Sequence, residues 1–379
     1  MEIYSRLRID PHTGIPLAVQ LSQQITWLIA SGAVRAGDQL PPMREMADAL
    51  GINMHTVRAA YQRLEADLLV SIRTRQGTIV LPFQPGELAG TRPDLPSFLF
   101  GVILPTPAPI YIPYLEGIQD AAGEARLLPL ICFARDNPHL TDRYLQQLLA
   151  KRVDGIIVTS TSSHRFVDEP SLIDAFPPIV FVDTPDIPGS LLPDSKDATY
   201  LAVGHLLQHG YPQIGLIACP RDWANVEPCW QGYEQALAEA GLKPDPDLIV
   251  EVPDFSHQSG YEGTMTLLQR NNPPRAVFII ADSLALGAMQ AFADAGLDVP
   301  ADIALASYSN IEQAALHRPG LTTATLPAYD MGTKAVQLLQ KRMEGYPPGK
   351  EHEFLSSELI IRESCGCEPI VKGKERRGS

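Results

Sequence analysis

Eight short apolar runs, FGVIL, LPLICF, GIIV, PIVFV, IGLIA, DLIVEV, AVFII and IALAS, follow one another after residue 97, separated by amphipathic stretches. A strand with one wet face alternates apolar and polar residues. A strand that is apolar throughout must be covered on both faces, as in a parallel sheet packed between helices. The intervening stretches have the helical period that covering helices need. Eight such runs between residues 98 and 367 fit two doubly wound halves better than one core. No solenoid repeat is visible.

The preceding residues obey a different pattern. Leu21, Ile25, Leu28 and Ile29 recur at helical spacing, and Gly32 ends that helix. A short second helix spans Met43 to Leu50 and closes at Gly51. A third runs from about His55 to Glu65, with Val57, Ala60, Tyr61 and Leu64 on one face. LLVSIRTRQGTIVL then reads as two strands around a turn at Gln76-Gly77. PFQPGELAGTRPDLPS, Pro82 to Ser97, is rich in Pro and Gly without periodicity and reads as an interdomain linker.

The net charge of -14 argues at first against a nucleic-acid partner, but its distribution reverses the argument. Residues 1 to 82 hold eight Arg and seven acids, a balance of +1, and the remainder carries -15. The first Lys is Lys151, so every basic side chain of the N-terminal segment is an Arg. The planar guanidinium matches phosphates and guanine edges in a way an ammonium does not.

Two helices around a tight turn, followed by a hairpin, make a winged helix-turn-helix whose second helix enters the major groove. With Val57, Ala60, Tyr61 and Leu64 inward, His55, Thr56, Ala59, Gln62 and Arg63 point outward and Arg58 lies at the flank. Asn53 stands where its amide can cap the helix or reach DNA. The wing offers Arg73, Arg75, Gln76 and Gly77. The competing reading is a three-helix interaction module with a solvated polar face.

Five cysteines, Cys132, Cys219, Cys229, Cys365 and Cys367, form no disulfide pattern. Cys365-Gly366-Cys367 could hold a metal, but neither a second pair nor a neighbouring His completes a site in the sequence, so no metal or other cofactor is expected. The N-terminus lacks an apolar signal core, and no run of eighteen apolar residues occurs. A cytoplasmic location without a membrane partner is expected. There is no P-loop, G-x-S-x-G, H-E-x-x-H or strand-borne G-x-G-x-x-G, so no enzyme class is supported. A solute-binding protein for uptake would need a signal peptide and have no use for the N-terminal segment.

The stretch AGDQLPPMREMADALGINMHTVRAAYQRLE, with RQGTIV after it, resembles the GntR-type winged helix. The resemblance implies DNA contacts from Arg44, Thr56, Arg58 and the wing at Gln76 to Thr78. Met54 departs from the Arg common at its position. RVDGIIV, PIVFVDT, YLAVGHLLQHGYPQIGLIACP, ADSLALGAMQAFADAGLDVPADIALASYSN and ELIIRESCG resemble the LacI-type effector domain, itself similar to periplasmic sugar-binding proteins. Such a head on such a body is similar to the arabinose-repressor group.

The combined resemblance implies an α+β winged helix (1–81), a linker (82–97), a two-lobed α/β body with parallel sheets (98–368) and a tail (369–379). It divides the body roughly into 98–190 plus 322–346 and 191–321 plus 355–368. It implies a homodimer on double-stranded, palindromic operator DNA, released by a sugar-like effector held between the lobes. Asp183, Phe255, Tyr111, Arg135 and Asp282 fall at ligand positions. For Asp282 the alternative is a helix cap, for Arg135 a solvated loop, for Tyr111 simple packing, and for Asp183 a loop partner. Cys229 stands where sugar-binding members carry Arg, Ser309 where they carry Asp, and Ala281 where they carry Asn. Losing a bidentate Arg and a carboxylate removes charge-assisted contacts. These departures point to a less polar ligand than a free hexose, or to a pocket that has lost its function.

Overall fold

The computed structural model describes residues 3–11, 16–30, 33–73, 77–82, 96–160, 164–170, 173 and 176–367. Most of the expected linker, the expected tail, and the wing residues Arg75 and Gln76 lie outside the described residues.

The head contains α1 (Leu17–Ala30), α2 (Met43–Leu50) and α3 (Met54–Ala66), with strands β1 (Gln39–Leu40), β2 (Val70–Arg73) and β3 (Gly77–Val80). The strands form an antiparallel sheet in the order β1-β3-β2. β1 was not foreseen, because two residues carry no periodic signal. Leu21, Ile25, Met46, Val57, Ala60, Tyr61 and Leu64 are fully buried together, so the three-helix spacing read from the sequence is the spacing of one small core.

In the body, the first lobe carries β4 (Leu99–Leu104), α4 (Tyr111–Ala125), β5 (Leu128–Phe133), α5 (Pro138–Ala150), β6 (Gly155–Thr159), α6 (His164–Asp168), β7 (Ile179–Val182) and β8 (Leu191–Pro193). The chain then crosses to α7 (Ser195–Gln208), β9 (Gly215–Ala218), α8 (Glu227–Glu239), β10 (Ile249–Glu251), α9 (His257–Leu268), β11 (Ala276–Ile279), α10 (Asp282–Asp294), β12 (Ala304–Ser309), α11 (Glu312–Leu316) and β13 (Thr322–Thr325). It returns with α12 (Ala328–Met343) and β14 (Glu353–Leu355), and β15 (Leu359–Ile360) closes the second sheet. The two six-stranded sheets run β14-β8-β7-β6-β4-β5 and β10-β9-β11-β12-β13-β15. All their pairings are parallel except β13 with β15.

Each of the eight apolar runs is a strand. In β6, Ile157 packs towards α4 and α12, whereas Ile156 and Val158 pack towards α5 and α6. This is the two-sided burial that the unbroken apolar runs required.

The lobe boundaries differ from those expected. β8 pairs with β7 and β14 pairs with β8, so 191–193 and 353–355 belong to the first lobe. β13 pairs with β12 in the second sheet, so the return crossing lies after Thr325 rather than at residue 322. The sequence hid β13 because TTAT is a buried strand made of threonines.

Candidate DNA-binding face and ligand cleft

α2 ends at Gly51, whose left-handed backbone (φ 65°) lets its N–H bond the carbonyl of Ala47. Two residues later Asn53 caps α3, its side-chain oxygen accepting from the His55 N–H at 2.8 Å. Of the two roles open to Asn53, the cap is the one its oxygen fills. The buried face of α3 fixes the orientation of the opposite face, on which Met54, His55, Arg58 and Gln62 are exposed and Thr56, Ala59 and Arg63 half-buried. Arg44 is exposed on α2 and Arg73 at the end of β2. The first turn of α3 contains no acid, so its dipole and free N–H groups face solvent with positive potential, the condition for approaching phosphates.

Thr78 requires correction. Strand alternation turns Gly77 and Ile79 outward and Thr78 and Val80 inward, and the buried Thr78 presents no side chain to DNA. Gly77 keeps its expected place at the base of the wing, with φ 86°.

The two lobes face each other at the carboxyl ends of their strands, where ligands of open α/β sheets bind. Asp183 follows β7 and is partly exposed. Burial pushes its carboxyl up to about 7, against hydrogen bonds from Asn225 and Ser160 that favour the ionised form. Asn225 belongs to the second lobe and also donates to the Ser160 hydroxyl at 3.4 Å. It therefore joins the lobes across the floor of the cleft. Asp183, Asn225, Ser195 and Lys196 border a recess with ≈ 330 Å³ of empty space, open solvent included.

Tyr111 opens α4 close enough to Asp183 to feel its charge, and burial first, then that charge, holds its phenol well above the ordinary range. Cys229 is buried on α8, and desolvation pushes its thiol up to about 12. It stays a neutral thiol where the family places Arg. Tyr308 of β12 reaches the same group and shares a 3.2 Å hydrogen bond with Ser195 at the lobe crossing. Phe255 is 38% exposed and lies 6.0 Å from the Trp223 ring, tilted at 56°. The structure thus gathers Tyr111, Asp183 and Cys229 and sets Phe255 beside Trp223. Sequence reading missed Ser160, Trp223, Asn225 and Tyr308. Trp223 and Asn225 sit in the aperiodic loop RDWANV between β9 and α8, whose only signal was its aromatic residue.

Three expected ligand residues stand differently. Arg135 is exposed in the loop after β5, with φ 54°, and matches its loop alternative. Asp282 is fully buried as the first residue of α10. Its carboxylate accepts from the Ser307 hydroxyl, the Thr323 hydroxyl at 2.7 Å and the Ile311 N–H at 2.8 Å. It is neither a side-chain cap nor open to the cleft, but ties β12, β13 and the loop between them to α10. Ser309 (φ 119°) is also buried, its hydroxyl 3.5 Å from the Asp282 N–H. Asp282→Ala leaves the buried Ser307 hydroxyl and the half-buried Ile311 N–H without this acceptor and the Thr323 hydroxyl with only the Ala324 carbonyl, and is expected to cost about 1–3 kcal/mol. A lowered denaturation midpoint at unchanged slope checks this.

The reason for setting aside a metal at Cys365 and Cys367 also fails in three dimensions. His205 and His209, distant in sequence, lie directly beside them.

Residues 17–80 match the gntR family of bacterial regulatory proteins, and residues 203–365 match the periplasmic binding protein-like domain. The HTH-type transcriptional repressor PurR of Histophilus somni is 28% identical over 340 residues, 85% of this chain and 98% of the relative. PurR of Pasteurella multocida is 31% identical over 268 residues, 69% of this chain and 79% of the relative. CytR of Escherichia coli is 30% identical over 264 residues, 68% of this chain and 75% of the relative. Among solved structures, the transcription regulator CcpA of Lactococcus lactis superposes with a TM-score of 0.64 at 27% identity, covering 70% of this chain and 98% of that one. A LacI family regulator from Enterococcus faecium with bound ribose gives 0.62 at 26%, covering 72% and 99%.

A helix-turn-helix head on a two-lobed binding body defines a ligand-responsive transcriptional regulator. The chain belongs to the LacI-type family of HTH-type transcriptional repressors that includes PurR and CytR, and its head is of the gntR family. These relatives are regulators, not enzymes. Among the described residues no helix is long and apolar enough to cross a membrane.

Proposed function

We propose that the chain is a cytoplasmic, dimeric, non-enzymatic repressor that leaves a palindromic operator when a sugar-like ligand with one apolar side closes its lobes. The observation that carries this reading is the Asp183 carboxylate at the end of β7, bonded from the second lobe by Asn225, on a body that carries an arginine-bearing recognition helix. Asp183 accepts hydroxyl hydrogen bonds while Phe255 and Trp223 cover the apolar side. Cys229 puts a neutral thiol within reach of Asp183 where sugar-binding relatives carry Arg, which favours a glycoside or nucleoside over a free hexose. The ribose bound to the Enterococcus faecium regulator is consistent with a sugar moiety. Thermal shift with ribose, cellobiose, nucleosides and aryl glycosides, followed by operator release, tests the reading. No response to any of them favours a second reading, in which Asn225 has closed the cleft permanently.

The dimer is supported by β5, an edge strand that exposes Leu128 (57%) and Ile131 (39%). An apolar sheet edge left open is an aggregation hazard unless a partner covers it. Leu128→Asp with Ile131→Asp is expected to give a monomer by light scattering, with weaker operator binding because only one half-site is held at a time. A wild-type chain that is monomeric with full operator affinity refutes the dimer.

The raised pKa of Asp183 sets a pH dependence. The folded state holds this proton more tightly than the unfolded chain. The associated stability is therefore present below the ordinary value of 3.8 and lost as pH rises through about 7. Asp183→Asn removes that loss, so its melting temperature relative to wild type should climb between about pH 5 and about pH 8. Ligand affinity should move the other way in wild type, increasing with pH as the acceptor ionises, and be flat in the variant.

A further inference from the structure

His205 and His209 are one helical turn apart at the end of α7, on one face. Cys365 and Cys367 flank Gly366, whose φ of 95° turns the chain sharply between them. His205 Nε2 lies 3.2 Å from Cys365 Sγ, 3.3 Å from His209 Nε2 and 3.6 Å from Cys367 Sγ. Cys367 Sγ lies 3.3 Å from His209 Nε2. All four atoms fall within 4.8 Å of one another.

We propose that these four side chains form a structural zinc site that clamps the C-terminal segment of the second lobe to α7. Tetrahedral zinc with Zn–N of about 2.0–2.1 Å and Zn–S of about 2.3 Å separates its ligand atoms by roughly 3.3–3.8 Å. The four close contacts, 3.2–3.6 Å, lie near that spacing, and small side-chain rotations on binding bring in the wider separations, up to 4.8 Å. Without a metal, each thiol can donate to one imidazole. With the thiols deprotonated, the two sulfurs and two ring nitrogens become four ligand atoms gathered in one small volume. Two thiolates and two imidazoles select zinc over magnesium or calcium, which take oxygen ligands. The Thr322 hydroxyl lies 3.2 Å from Cys365 Sγ and can donate to the thiolate, the outer support such ligands ordinarily have. Four protein ligands leave no open position, so the role is structural.

The segment is already tied to β12, β13 and the loop between them through Arg362 and Ser364, and the metal adds the link to α7. The test uses tag-free full-length protein, stripped with chelator and titrated with zinc and with cobalt(II). One zinc per chain and the intense visible bands of a tetrahedral cobalt thiolate complex are expected. His209→Ala and Cys367→Ser, at the outer rim of the cluster, should lose the bound metal and the cobalt bands while remaining folded by circular dichroism. Zinc should raise the melting temperature of stripped wild type by several degrees and leave both variants unmoved. Stripped wild type that takes up no zinc or cobalt overturns the proposal, as does undiminished metal content in both variants. Should either variant fail to fold, the titration of stripped wild type decides alone.

Discussion

Arg58→Ala and Arg44→Ala are each expected to weaken operator binding by about 1–3 kcal/mol, roughly five- to 150-fold. Both side chains are exposed, so truncation leaves the head's core intact and the loss is one of contact rather than folding. They project from different helices, α3 and α2, and their effects should nearly add in the double variant, as for independent sites. The head provides little to replace them, since it carries no Lys at all and Met54 occupies a position where an Arg is common in similar heads. The two roles separate by salt and sequence. If Arg58 reads a base edge, its loss flattens the preference for the selected site over a scrambled one. If it holds phosphate, both DNAs lose affinity together and the salt slope shrinks by about one. Fluorescence anisotropy on both DNAs at several salt concentrations measures this. Wild-type affinity in both single variants removes α2 and α3 as the DNA-binding face.

The head was legible because its signals are local. Val57, Ala60, Tyr61 and Leu64 repeat at helical spacing, and all four are fully buried. Thr78 was misjudged although its strand was found, because a strand's side chains alternate and one residue of register decides which face meets DNA. In the body, strands that are apolar on both faces announced themselves. β13 did not, since its threonines are buried to serve the Asp282 carboxylate and the Arg362 backbone, and hydroxyls in a strand look like surface. The metal-ligand cluster was invisible for a different reason. The separation of 160 positions between His205 and Cys365 leaves no trace of their contact in a single sequence. The cleft lay between these extremes. The strand ends located Asp183, but Asn225, which reaches it from the other lobe, comes from a loop without pattern.

The largest functional loss is expected at Asp183 and Phe255. An ionised carboxylate bonded to ligand hydroxyls contributes about 1.5–3 kcal/mol. Asp183→Ala should therefore raise the ligand concentration for half-maximal operator release by roughly ten- to 150-fold, enough to abolish the response within ordinary solubility. Phe255→Ala removes the exposed ring beside Trp223 and should act in the same direction. Neither residue lies in the head, so operator affinity without ligand should stay at the wild-type value. The distinction matters because Asn225 already bonds Asp183 and Ser160 across the cleft. A ligand that replaces the Asn225 contact must offer Asp183 better donors than an amide, and that exchange supplies the differential binding between lobe arrangements on which coupling to DNA depends. Asn225→Ala is then informative in the opposite sense. It frees Asp183 from its internal partner and should tighten ligand binding if the cleft is the effector site. The measurement is operator binding across a ligand titration in wild type and the three variants. Asp183→Ala and Phe255→Ala proteins that release DNA at the wild-type ligand concentration place the effector outside this cleft.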